Sequence, residues 1–290
     1  MRQSYLKNAA LMTGADVLLR LAGMGLRIWL ANALGGEGMG LYQLVLAVYS
    51  LFVTLATAGV SVAATRLMAE ELSGPASARG AARGMLRRLL AAGLVLGLFA
   101  AALQLTTADL AARLWLGDVR AVGALRVSAL GMPWMAVSAE LRGFFIARRH
   151  VAPNVFSQLT EQTVRIALVA LALTRTEGLA VGVRCMLVLG ATAVSEAVSA
   201  LCMLAFYRRD ARSAFAGQKA VRPADPVRRL WEILWPVEGG RVLASALHTA
   251  ENMLVPACLA VYLINAGGRT AALEQYGGLK GRALPLRACG

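Results

Sequence analysis

Seven apolar runs, each long enough to cross a hydrocarbon core of about 30 Å, recur at roughly residues 9–33, 41–65, 85–107, 121–147, 153–174, 179–207 and 231–264. Backbone polar groups inside a bilayer find no water, so runs of this length must satisfy themselves as helices. The pattern predicts an all-α, polytopic membrane protein. Composition agrees: 58% of the 290 residues are hydrophobic and only 16% are charged, with a mean hydropathy of +0.60, too apolar for a water-soluble domain of this size.

The chain carries 30 Lys and Arg against 16 Asp and Glu, a surplus of +14. A nucleic-acid binder holds such residues on a water-soluble surface, whereas here they fall between apolar runs, so nucleic acid is excluded and anionic membrane lipid is the expected partner of that charge. Arg2, Lys7, Arg66, Arg83, Arg87, Arg88, Arg148, Arg149, Arg208 and Arg209 belong to one side, and only Arg113, Arg120, Arg175 and Arg269 to the other. By the positive-inside rule the N-terminus is cytoplasmic and the protein a multi-pass component of the cell membrane. Asp16, Arg20 and Arg27 interrupt the first apolar run, so it reads as an uncleaved span and not a signal peptide.

Those three charges define the first functional expectation. At about 100° per residue, Arg20 lies about 40° and Arg27 about 20° from Asp16, so all three share one stripe with Gly23 beside them. Each would cost about 2.5–3.5 kcal/mol facing lipid at mid-membrane, which directs the stripe into a bundle or a wet cavity. The fifth run opens at Pro153 and bears a second stripe, Asn154, Ser157, Gln158, Glu161 and Arg165. Either Glu161 and Arg165 simply neutralise each other at i and i+4, or the stripe lines the same cavity as Asp16, Arg20 and Arg27. The sixth run carries Arg184, Thr192, Ser195, Glu196 and Ser199, and the seventh carries Glu238, Arg241, Ser245, Thr249 and Asn252. Glu238 and Arg241 are expected to pair. Gly93 and Gly97 have the small-x-x-x-small spacing of close helix packing, and Pro133 marks a kink or a hinge in the fourth run.

Equipment for catalysis is absent from the sequence. No phosphate-binding loop, zinc-protease motif, nucleophile elbow or dinucleotide fingerprint occurs, and neither His150 nor His248 has a second ligand at metal spacing. Cys185, Cys202 and Cys258 sit in apolar runs and Cys289 in the tail, without the spacing of a metal or redox pair. The expectation is a protein that is not an enzyme and uses no cofactor.

The order Gly35-Gly36-Glu37-Gly38-Met39-Gly40-Leu41-Tyr42-Gln43, then Ala58-Gly59-Val60-Ser61 leading to Arg66-Leu67, then Pro153 with Gln158, Glu161, Gln162 and Arg165, and finally Tyr276-Gly277-Gly278-Leu279 to Pro285-Leu286, resembles a known family. It is similar to the polysaccharide biosynthesis, or stage V sporulation protein B-like, branch of the multidrug/oligosaccharidyl-lipid/polysaccharide exporter superfamily. The resemblance implies two six-helix lobes around a central cavity and the flipping of lipid-linked sugars, such as cell-envelope, peptidoglycan or spore-cortex precursors. On that basis residues 1–207 form a six-helix N-terminal lobe, 208–230 a basic cytoplasmic linker, and 231–290 the first helix and an incomplete remainder of a second lobe. Asp16, Arg20, Arg27, Asn154, Gln158, Glu161, Arg165, Glu238 and Arg241 become the cavity candidates, with a lipid-linked oligosaccharide or similar anionic lipid as partner, and a second copy or a missing lobe completing the site. Two alternatives stand beside this. One is a drug or cation antiporter of the related branch, which would rely on Asp16; the other is an inactive fragment or a membrane interaction subunit.

Overall fold

The computed structural model describes residues 2–57, 60–73, 79–176, 178–214 and 239–252, with residues 254, 255, 258, 275 and 276 beyond them. Every regular element among them is helical: α1 (Arg2–Thr57), α2 (Val60–Ser73), α3 (Arg79–Leu110) running into a π-helical turn (Ala111–Leu116), α4 (Ala121–Ala129), α5 (Met132–Ala147), α6 (Ala152–Thr174) and α7 (Val181–Ala214), followed by helical residues 239–252. Most of the 208–230 linker, Glu238, and residues 259–274 and 277–290 lie outside the described residues.

The loop expected at Gly35–Gly40 is reduced to a single residue. Helical bonding continues on both sides of Gly35, whose φ of 74° and ψ of 177° place it in a conformation that costs a side-chain-bearing residue dearly. The chain reverses there: Arg27 Nη2 donates to Gln43 Oε1 at 3.1 Å, although sixteen residues of straight helix would hold these groups about 24 Å apart. α1 is therefore a hairpin of two arms. The kink frees carbonyls that no later turn can bond, and Arg184 Nη2 on α7 donates to one of them, Ala33 O, at 2.5 Å.

The second arm buries Leu41, Val45, Val48, Phe52 and Ala56, a stripe at helical spacing that joins Leu125, Met132 and Leu189 in the larger core. A second core, from Leu67, Met85, Leu86, Leu141, Phe144, Phe145 and Met203, closes the end of the bundle where the arginines gather. There Arg148 pairs with Asp210 and lies over the Phe144 ring. At the other end Arg120 bonds Asp118 and Glu37, each at 2.8 Å, and these contacts hold its pKa above the ordinary arginine value while fastening the hairpin tip to the turn before α4.

Glycines set the tightest approach. A Cβ on Gly97 would lie 2.9 Å from Ala136 Cβ and 3.0 Å from Pro133 Cα, and one on Gly93 would lie 2.6 Å from Glu140 Oε1, so the small residues of α3 receive α5. The fourth apolar run is two helices meeting at 41°. Leu130 and Gly131 close α4 with i→i+3 bonds, and Pro133 stands in the first turn of α5, where its missing donor costs nothing. Gln104 on α3 braces the segment below the bend, donating to Leu125 O at 2.7 Å and to Ser128 Oγ at 2.9 Å.

By length and apolarity Ala10–Glu70, Ala82–Leu116 and Val181–Asp210 can cross a membrane, and the bent pair α4–α5 is long and apolar enough for one broken span or a re-entrant segment. Ala10–Glu70 contains the Gly35 reversal and so supplies two passes. α6 is long enough, about 34 Å over its 23 residues, but its polar stripe lowers its hydropathy.

Candidate functional site

The stripe of α6 finds its counterpart on α5. Glu161 accepts from Arg165 Nη2 at 2.5 Å within its own helix and from Arg142 Nη2 at 3.1 Å across the gap. Arg165 also donates to Gln162 Oε1 at 3.3 Å, and Asn154 Nδ2 donates to Arg142 O at the same distance. One carboxylate thus serves two guanidinium groups. Arg142 Nε, Arg165 Nε and Asn154 Oδ1 remain without partners among the described residues.

Across from α6 stands the α1 hairpin. A Cβ on Gly23 would come within 3.8 Å of Gln162 Nε2, so the first arm meets α6 at that point. Gln43, whose Oε1 receives Arg27, keeps an Nε2 with no acceptor among the described residues. The side chains of Arg142, Glu161 and Arg165 are 34%, 17% and 24% exposed, so the cluster is half-buried and open on one side.

Deeper in the bundle a second carboxylate is enclosed. Glu196 of α7 accepts the Tyr49 hydroxyl at 3.1 and 3.2 Å, and the same oxygen lies 3.2 Å from Met135 Sδ. A Cβ on Gly131, at the α4–α5 bend, would fall 2.2 Å from Glu196 Oε2, so the carboxylate occupies space that only glycine leaves free. Arg142 and Arg165 thus share the one carboxylate of Glu161, while Glu196 is bonded by Tyr49.

Of the expected cavity residues, the structure joins Asn154, Glu161 and Arg165 to Arg142 and ties Arg27 to Gln43 on the facing hairpin. Gln158 is half-buried and forms no side-chain hydrogen bond among the described residues. Asp16 and Arg20 do not enter the cluster: they are exposed on a part of the first arm where Leu11, Val17, Leu18 and Leu21 are exposed as well. That part of the helix has no neighbour among the described residues to turn its stripe inward. Arg241 is exposed, and its expected partner Glu238 lies outside the described residues. The helix after it packs on the second arm of α1, where Thr249 Oγ1 donates to Ala47 O at 3.0 Å and the Ser245 and Thr54 hydroxyls lie 3.1 Å apart.

Sequence reasoning missed Tyr49 and Arg142 as site residues. An isolated Glu196 in an apolar run demands a proton donor, and that demand was the available signal for Tyr49. Glu140 is buried with neither oxygen bonded among the described residues, and nothing in the spacing of its neighbours announces this. Residues that would gather three metal ligands are absent among the described residues.

This all-helical fold aligns with that of an inward-facing multidrug resistance MATE family transporter of the MOP superfamily at a TM-score of 0.68, covering 90% of this chain and 57% of that one at 17% identity, a likeness of fold. The family model for polysaccharide biosynthesis proteins matches residues 5–259, and the chain belongs to that family. It is also 29% identical over 293 residues to stage V sporulation protein B of Bacillus subtilis (strain 168), covering 98% of this chain and 55% of that protein. The chain thus spans about half the length of that curated relative.

Proposed function

We propose that the chain supplies one wall of a carrier that moves a lipid-linked oligosaccharide across the cytoplasmic membrane, with the anionic headgroup drawn to Arg27, Arg142 and Arg165. The observation that carries this reading is a cationic excess inside the apolar bundle, half-open, with donors on Arg142, Arg165 and Gln43 unmatched among the described residues. Guanidinium groups suit phosphate oxygens through paired, charge-assisted hydrogen bonds. Glu161 holds Arg142 and Arg165 in place and offsets their charge when no headgroup is bound. Family membership and the sporulation relative support a cell-envelope precursor as cargo. The N-terminus and the arginine-rich end face the cytoplasm on this reading, and a second lobe or a second copy supplies the opposite wall.

Binding separates this from the cation-antiporter reading. Purified protein in detergent should retain a polyprenyl-pyrophosphate sugar, and Arg165→Gln should weaken that binding by about tenfold, the worth of one charge-assisted hydrogen bond. Retention of a lipophilic cation instead, lost on Glu161→Gln and unaffected by Arg165→Gln, would overturn it.

A further inference from the structure

A second concavity lies away from this cluster, toward the end of the bundle that bears Arg120. It is a groove of about 760 Å³ whose floor is α7, from Met186 through Gly190 and Val194 to Ala197; α6 forms one wall with Leu171, and the α4–α5 bend forms the other with Leu130 and Trp134. The eleven helical rises from Met186 to Ala197 span about 16 Å, close to half of a hydrocarbon core of about 30 Å. The groove therefore has the depth of one leaflet. Its lining is apolar except at the rim, where Arg175 and Thr176 follow the last turn of α6. The Thr176 hydroxyl is engaged by Ala172 O at 2.7 Å, which leaves the Arg175 guanidinium as the polar group facing a ligand.

Arg175 contrasts with its neighbours. Arg120 is bonded to Asp118 and Glu37, and Arg126 to Asp109 at 2.6 Å, whereas Arg175 forms no ion pair or side-chain hydrogen bond among the described residues. A free guanidinium at headgroup level, directly above an apolar slot one leaflet deep, matches the two parts of a phospholipid. We propose that this groove is a binding site for one anionic glycerophospholipid, an acyl chain lying along α7 between α6 and the bend, and the phosphate resting on Arg175. The site shares no residue with the Arg142–Glu161–Arg165 cluster and rests only on the helices crossing a bilayer, not on the transport reading.

Delipidated protein titrated with phosphatidylglycerol, phosphatidylcholine or a polyprenyl phosphate, and read by native mass spectrometry, tests it. The site requires one phosphatidylglycerol held in preference to the other two. Arg175→Gln should lower phosphatidylglycerol affinity about fivefold and leave phosphatidylcholine unchanged, Arg175→Lys should retain most of the preference, and Arg113→Gln, an exposed charge at the same end but outside the groove, should change nothing. Ala172→Trp, which fills the slot and keeps the charge, should weaken both phospholipids; circular dichroism and gel filtration establish that it is folded. Equal binding of phosphatidylglycerol and phosphatidylcholine, or equal losses in the Arg175 and Arg113 variants, would overturn the site, and a preference for polyprenyl phosphate would overturn its assignment to a phospholipid.

Discussion

Glu196 on α7 and Tyr49 on the second arm of α1, 147 residues apart in the chain, share one hydrogen bond donor in the buried interior, with Tyr49 Oη within 3.2 Å of both carboxylate oxygens. Removing the donor strands a buried acceptor, which costs about 1–3 kcal/mol. Tyr49→Phe should therefore lower the melting temperature in detergent, whereas Tyr49→Phe combined with Glu196→Leu should be no less stable than Glu196→Leu alone. A double-mutant cycle by thermal unfolding measures the coupling, and additive losses would show that the two residues are energetically independent.

Gly131 makes room for that carboxylate. A methyl group at this position cannot coexist with Glu196 Oε2 in its present place, so Gly131→Ala should destabilise the bundle by about 1–3 kcal/mol, the usual range for overpacking. Shortening the opposing side chain with Glu196→Ala should recover part of the loss. Yield of monodisperse protein and its melting temperature are the readouts, and a double variant whose loss equals or exceeds the sum of the two single losses would refute the steric account.

Glu161 restrains two arginines at once, from α5 and from its own helix. Glu161→Gln removes the competing anion, so on the proposed function it should raise affinity for a polyprenyl-pyrophosphate sugar severalfold while lowering thermal stability, because Arg142 and Arg165 are then left facing each other. Isothermal titration and melting curves on the same preparation separate the two effects. Weaker binding together with lower stability would mean that Glu161 organises the site without competing for it.

The proposed topology rests on the charge asymmetry. Cysteine introduced at Val119, an exposed position in the turn before α4, should react with a membrane-impermeant maleimide added to intact cells, in a background lacking the native cysteines. Cysteine at Ser213 should react only after the cells are opened. The reverse pattern would invert the orientation derived from the arginine-rich end.

Much of this architecture is legible in residue order, because helix length and apolarity are local properties. The Glu161–Arg165 pair is a matter of i and i+4 spacing and was readable directly. Arg142 was not, since its approach to Glu161 depends on how α5 settles against α3 at Gly93 and Gly97. Arg27 shares a helical stripe with Asp16 and Arg20, yet it is bonded to Gln43, because the reversal at Gly35 places residues eight before and eight after it side by side. Periodicity finds the face of a helix; it does not find the neighbour. Asp16 and Arg20 illustrate the other gap: the cost of charge in lipid says that a partner surface is needed, and it does not say on which part of the assembly that surface lies.

The single-residue reversal at Gly35 has a consequence for what lengths of chain this hairpin tolerates. A long loop absorbs an added or lost residue by changing its path, but here helix begins again at once, so the second arm has no slack. One residue inserted between Gly36 and Leu41 would rotate everything beyond it by about 100°. Gln43 would leave Arg27, Tyr49 would leave Glu196, and the stripe from Leu41 to Ala56 would turn out of the core. The hairpin accordingly accepts substitutions far more readily than it accepts any change in its count of residues.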